Sequence, residues 1–168
     1  MPAGRHLGAA APGGGRLCTG GDSLTLLDAA VAPAELYAVL ADPRRRPEWQ
    51  SSLRRVADVV PGAGGAASSG TTWTDVTVVP GIRPRMRTTL AEPPRRWAEE
   101  GQWGPFRARL EVNLTARGDG CRVEAHHTVS GLGIGGRAIG GLVAVLARPA
   151  IAADLRRAVA VATDAKGV

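Results

Sequence analysis

Cysteine is scarce in this chain of 168 residues: Cys18 and Cys121 are the two present, and neither sits in a Cys-x-x-Cys or Cys/His cluster. That excludes a disulfide framework and a structural zinc site of the usual spacing. It suits a reducing compartment, so a cytoplasmic location is expected. Long apolar runs are missing too. No stretch reaches the roughly 18 apolar residues of a membrane span. The best candidate, Ala138–Ala147, is stopped by Arg148 and Pro149. Glycine and proline interrupt the N-terminus, so it has no apolar core of a signal peptide. Aromatic residues make up 4% of the chain, and no basic stripe carries interleaved aromatics of the kind that binds nucleic acid. The expected partners therefore exclude nucleic acid and stable membrane insertion. No metal and no cofactor is expected.

Charge is present in moderation. The net charge is +6, but residues 24–60 carry five basic and five acidic side chains, and residues 61–130 carry nine and seven. The excess lies mainly in 131–168, with five basic and two acidic. This reads as a mildly basic surface, with an interaction module built on a basic C-terminal helix as a further possibility.

Residues 1–23 are rich in Gly, Ala and Pro without a period, and a disordered tail is expected there. Residues 24–165 form one domain, long enough to bury a core without metals or cross-links. Leu24–Val31 reads as a strand. Pro33–Asp42 reads as a helix, with Pro33 suited to its first turn and Leu36, Val39 and Leu40 on one face. The run Arg44-Arg45-Arg46 reads as a solvated face, and Trp49 plugs the base of the core. Strands follow at Leu53–Val60, Gly70–Val79, Arg83–Ala91, Arg96–Trp103, Phe106–Ala116 and Arg122–Ser130. Phe106, Ala108, Leu110, Val112 and Leu114 alternate with polar residues, a period of two. Met86, Thr88 and Leu90 are expected on one face of their strand. Gly118-Asp119-Gly120 signals a hairpin.

A glycine-rich turn (Gly131, Gly133, Gly135, Gly136) then leads to a long apolar helix, Ala138–Ala162, containing Pro149. Its spacing is wrong for a dinucleotide loop, and no strand follows to complete one. The helix offers Ile139, Leu142, Val143, Leu146, Ala150, Ala153 and Val161 to the sheet. The fold class is α+β: a curved antiparallel sheet of about seven strands wrapped around a long C-terminal helix, with a short helical insert after the first strand.

Local strings in this order are similar to a known family. Ala32-Pro33-Ala34-Glu35-Leu36-Tyr37-Ala38-Val39-Leu40-Ala41-Asp42, Pro47-Glu48-Trp49, Gly70-x-x-Trp73, Pro93-Pro94-Arg95-Arg96-Trp97 and Gly118-Asp119-Gly120-Cys121-Arg122-Val123 together resemble the START-like (SRPBCC) superfamily. The likeness is to its polyketide cyclase/dehydratase group and spans about Leu24–Ala165. It implies a helix-grip fold with a hydrophobic cavity between sheet and helix. Relatives bind lipids, sterols, polyketides or hormones, and some close or dehydrate aromatic rings.

Several residues are candidates for chemistry. His127 interrupts an apolar face formed by Val123, Ala125 and Val129, so it is either a general acid/base in the cavity or a core histidine with a satisfied ring. Glu99 and Asp75 stand in register with tryptophans and, if buried, need a partner; a raised pKa would make either an acid catalyst. Trp73, Trp97 and Trp103 either line the cavity or fill the core. Met86, Leu110, Leu142 and Leu146 complete the expected ligand-binding set. Arg85, Arg87, Arg107 and Arg109 belong to the outer surface. The expected function is binding of a hydrophobic small molecule, lipid or polyketide-like, by a monomer or homodimer. The alternative is a polyketide cyclase/dehydratase that uses His127.

Overall fold

The computed structural model describes the backbone of residues 21–131 and 133–165, and the side chains of residues 23–131 and 149–165. Strand β1 (Gly21–Ala29) is followed by helix α1 (Pro33–Ala41), a 3-10 turn (Pro43–Arg45) and the single-turn helix α2 (Arg46–Trp49). Strands β2 (Leu53–Val60), β3 (Thr72–Thr77), β4 (Arg85–Glu92), β5 (Arg96–Trp103), β6 (Phe106–Arg117) and β7 (Gly120–Gly131) precede helix α3 (Gly133–Asp164). The strands form one seven-stranded antiparallel sheet in the order β1-β7-β6-β5-β4-β3-β2. This is the helix-grip architecture. The meander from β2 to β7 joins each strand to its sequence neighbour, and β1 closes beside β7 because the helical insert carries the chain across.

Local chemistry explains most elements. Pro33 opens α1, where a missing N–H costs nothing. The Glu35 carboxylate reaches back to accept the Ala32 N–H at 3.2 Å. The α1 face expected from spacing, Leu36, Val39 and Leu40, is buried, and Tyr37 joins it. Asp42 caps the 3-10 turn by accepting the Arg44 N–H at 3.0 Å. The β6–β7 and β5–β6 hairpins each have two-residue loops, and Gly118 and Gly104 both take φ of 54°. That backbone is open to glycine and strained for other residues.

The core packs α1 and the C-terminal part of α3 onto one end of the concave face. Leu36, Val39 and Leu40 meet Trp97, Val112, Leu114, Val123 and Ala125 from the sheet and Leu155, Ala158 and Ala162 from α3. Asp154 ties α3 to the α2–β2 connection: the Ser51 N–H and hydroxyl both donate to Asp154 Oδ1, at 3.1 and 2.9 Å.

Four details depart from the sequence reading. First, β1 begins at Gly21, inside the expected tail; residues 1–20 lie outside the described residues. Second, a register shift between Thr88 and Leu90 puts Leu90 opposite Ala98, which alternates with the inward Trp97 and Glu99. Leu90 thus leaves the concave face that Met86 and Thr88 share, because one extra residue reverses every side chain beyond it. Third, α3 already includes Gly133, Gly135 and Gly136, so these glycines belong to the helix. Fourth, among the described side chains of α3 the buried stripe is Leu155, Ala158 and Ala162, with Ile151, Val159 and the expected Val161 packed against it, while Ala150 is exposed and Ala153 is half-buried. An Ala/Val-rich helix is apolar nearly all round, so its period marks the buried face poorly. Ile139, Leu142, Val143 and Leu146 lie outside the described side chains.

This packing separates two leucines sharply. Leu155→Ala, at a 2% exposed site, is expected to lower stability by about 2–5 kcal/mol. Leu26→Ala, at a 59% exposed site, is expected to change it by less than about 0.5 kcal/mol. Urea unfolding of the two variants measures both, and equal effects would contradict the assigned core.

Candidate functional site

The concave face is laid out in transverse rows, because directly paired residues on neighbouring strands share a face. The innermost row, Trp97–Val112–Ala125, is packed core. The next row is Thr88–Glu99–Leu110–His127–Ser23. Beyond it lies Trp73–Met86–Gly101–Ala108–Val129. The sheet ends at Trp103 and Phe106, which are stacked with ring centroids 6.2 Å apart. Gly101 and Ala108 sit directly opposite each other, so the third row lacks bulk at its centre. Met86 leans into the gap: a Cβ on Gly101 would stand 2.6 Å from the Met86 sulfur. Ala108 is exposed although it shares the concave face with buried Val112. The concave side is therefore open there.

A pocket of about 340 Å³ fills this opening. Its described lining includes Leu53, Met86, Trp103, Phe106, Leu110, Val129, Ile151 and Leu155, with Arg46, Asp75, Glu99, His127 and Asp154 as the principal polar groups. The volume falls at the lower end of the range for small-molecule sites.

Arg46 organises the polar end. It is 2% exposed, and its guanidinium donates from Nη1 to Glu99 Oε2 and from Nη2 to Asp75 Oδ2 at 3.2 Å. The same group lies over the Trp73 and Trp49 rings, 5.3 and 5.5 Å from their centroids. Asp75 also accepts the Trp73 indole N–H at 2.8 Å. Asp75 thus receives donors from two residues and Glu99 from one. Burial pushes the Glu99 carboxyl above its ordinary range; the Arg46 charge pulls it back and neighbouring Asp75 adds to the rise. One guanidinium facing two buried carboxylates leaves an excess negative charge, and a proton on Glu99 removes it. Arg46 itself is held charged, because the pull of Glu99 and Asp75 outweighs its desolvation. Its Nε is buried and has no hydrogen-bond partner among the described residues.

His127 is 3% exposed, lines the pocket, and sits two strands from Glu99 on the same row. Two interstrand steps put their Cα atoms about 10 Å apart. The Glu99 carboxyl and the His127 imidazole therefore flank the Leu110 position across the pocket floor.

The sequence candidates divide as follows. Asp75, Glu99, His127, Met86, Leu110 and Trp103 line the pocket. Trp73 is buried against the Arg46 guanidinium. Trp97 belongs to the packed core and not to the pocket lining. Leu142 and Leu146 lie outside the described side chains. The residue missed is Arg46, read as part of a solvated arginine run. Arg44 is exposed and Arg45 pairs with Glu48 at 2.8 Å, while Arg46 turns inward. A signal was present: Arg46 precedes the buried Trp49 by three residues, and such residues share a helix face. Arg85, Arg87, Arg107 and Arg109 are exposed, as expected for outer-surface residues. Among the described residues, no group of three His, Cys, Asp or Glu side chains could hold a metal ion.

Removing one member of the buried charge group leaves the others uncompensated. Arg46→Met is expected to cost about 3–5 kcal/mol, and adding Glu99→Gln and Asp75→Asn to it should restore part of that loss in urea unfolding. Restoration of none would contradict the charge account. Glu99 binds its proton more tightly in the folded chain than in the unfolded one. The stability this confers is complete below the ordinary value of 4.5 and is lost as pH rises through the raised value. Glu99→Gln should flatten the stability–pH profile above that point; an unchanged slope would show that Glu99 ionises freely.

Comparison with known proteins places this geometry. No curated protein matches the chain by sequence. Among solved structures, TTHA0849 from Thermus thermophilus is 18% identical with a TM-score of 0.66, over 86% of this chain and 98% of that one. Ara h 8.0201 is 13% identical with a TM-score of 0.63, over 86% and 99%. The di-domain ARO/CYC StfQ from the steffimycin biosynthetic pathway is 17% identical with a TM-score of 0.69, over 89% of this chain and 53% of StfQ, so this chain spans about half of that protein. These likenesses establish a shared helix-grip fold. The family model described as polyketide cyclase/dehydrase and lipid transport matches residues 27–163, and the chain belongs to that family.

Proposed function

We propose that the protein binds a hydrophobic small molecule, a lipid or a polyketide-like compound, in the pocket between sheet and α3. The observation that carries this reading is the buried Arg46–Glu99–Asp75 group at the inner side of a largely apolar pocket. A packed core would not gain from burying three ionisable groups there. They suit an oxygen-bearing end of an otherwise apolar ligand, which would meet the proton on Glu99 or the unpartnered Arg46 Nε. The family description, which joins polyketide chemistry and lipid transport, supports the same class. Native mass spectrometry of protein purified from its own host should reveal a co-purifying apolar compound of defined mass. An apo mass, together with no uptake of fatty acids or aromatic polyketides, would overturn the reading.

A second reading, a polyketide cyclase/dehydratase, is favoured by the Glu99–Leu110–His127 row. On this reading the pocket folds a polyketone so that one carbonyl oxygen meets the Glu99 proton, while His127 takes a proton from the adjacent carbon. That transfer generates an enol, the step shared by ring closure and dehydration. His127→Ala then abolishes turnover and leaves ligand affinity within about threefold. Loss of affinity without any turnover in the parent protein would assign His127 to binding alone.

A further inference from the structure

The meander places the β3–β4 turn, the β5–β6 turn and the start of β2 at one end of the sheet, because Leu53 pairs with Thr77 and successive hairpins alternate ends. Thr77, Pro84, Trp103 and Phe106 bring the pocket out to this end. Here the surface is apolar at its tips: Val78, Val79 and Trp103 are 43%, 51% and 41% exposed. Three segments that form this end carry charge of one sign only. Segments Ser51–Arg54, Val78–Arg85 and Gln102–Arg107 contain Arg54, Arg83, Arg85 and Arg107 and no Asp or Glu. All four arginines are exposed, and the ion pairs found among the described residues involve other arginines. The β4–β5 and β6–β7 turns at the far end carry both signs, with Glu92, Arg95, Arg117 and Asp119.

We propose that this end is a docking surface for an anionic lipid bilayer, on which the protein collects or releases its pocket ligand. The proposal rests on the small-molecule reading of the pocket. Two exposed valines on the β3–β4 turn, with the Trp103 indole at the β5–β6 turn, match the shallow apolar layer of a bilayer interface. The surrounding guanidiniums match lipid phosphates; the segments that carry them bring no carboxylate, and Asp154, held by Ser51, is buried. A ligand with little solubility in water is found in such a bilayer, and contact at the pocket mouth spares it a path through water. Only shallow contact is implied: among the described residues no helix is long and apolar enough to cross a membrane. A nucleic acid fits less well, because the exposed apolar tips are chiefly aliphatic and offer few faces on which bases stack.

The test is flotation of the full chain with vesicles of phosphatidylcholine, alone or mixed with equimolar phosphatidylglycerol. Binding is expected to the anionic vesicles, weakened by salt. Arg83→Gln with Arg107→Gln should weaken it by roughly thirtyfold, and Val78→Ser with Val79→Ser should reduce it strongly. Arg122→Gln, at a distant pair with Asp28, should leave it unchanged. The native mass spectrum of the Val78/Val79 variant should still show the ligand, which separates docking from pocket occupancy. Equal binding to neutral vesicles, no binding to either, or variants that bind as the parent would overturn the proposal; binding of an acidic protein in place of anionic vesicles would do so as well. Ligand lost together with vesicle binding would also overturn it, since the valines would then serve the pocket itself.

Discussion

One buried guanidinium sets the terms for the open side of the sheet. Arg46 cannot leave water without matched charge and hydrogen bonds, since an unpaired buried ion is strongly destabilising. The fold meets that demand with Asp75 from β3, Glu99 from β5, and the Trp49 and Trp73 rings, over both of which the guanidinium lies. These contacts join residues far apart in sequence and hold α2 against the middle of the sheet. They also set two carboxylates against one guanidinium, and burial together with the neighbouring Asp75 raises the Glu99 carboxyl above its ordinary range inside the pocket. A structural ion pair would have been complete with one carboxylate. The second one places a further buried carboxyl in the pocket lining.

The pocket itself follows from side-chain size along the strands. Row by row, the concave face passes from Trp97 and Val112, through Glu99 and Leu110, to Gly101 and Ala108, and ends at Trp103 and Phe106. Bulk near α1 makes the core, small residues make the opening, and an aromatic pair marks the rim. Packing and binding therefore share one sheet, with Trp49, Leu110, Ile151 and Leu155 at the boundary between them. Asp154, held by Ser51, fixes α3 near the same opening without drawing on the charge group.

Much of this was legible in the sequence. The period of two in β6 gave its inward face, and the Gly-Asp-Gly turn and the helical insert gave the order of elements. Register then carried Glu99 and Trp97 to the inner face together. What was not legible depended on contacts between distant elements. The register shift after Thr88, which moved Leu90, leaves no mark in a local pattern. The inward turn of Arg46 was hidden by its place in an arginine run, and its spacing to Trp49 became informative only beside the two carboxylates that meet it. Trp97 and Trp103 look alike in sequence, yet one is core and the other rim. Size at Gly101 and Ala108, not the aromatics, decides where the pocket lies.

The central claim is that the space over Gly101 and Ala108 receives an apolar ligand. The most direct measurement is fluorescence titration with the apolar dye 1-anilinonaphthalene-8-sulfonate, comparing the parent protein with Ala108→Phe. The new ring would project from the exposed Ala108 position into the pocket, so unfolding temperature should hold while dye binding falls about tenfold or more. Dye binding that survives the filled pocket in a folded protein would place the apolar site elsewhere and contradict the account.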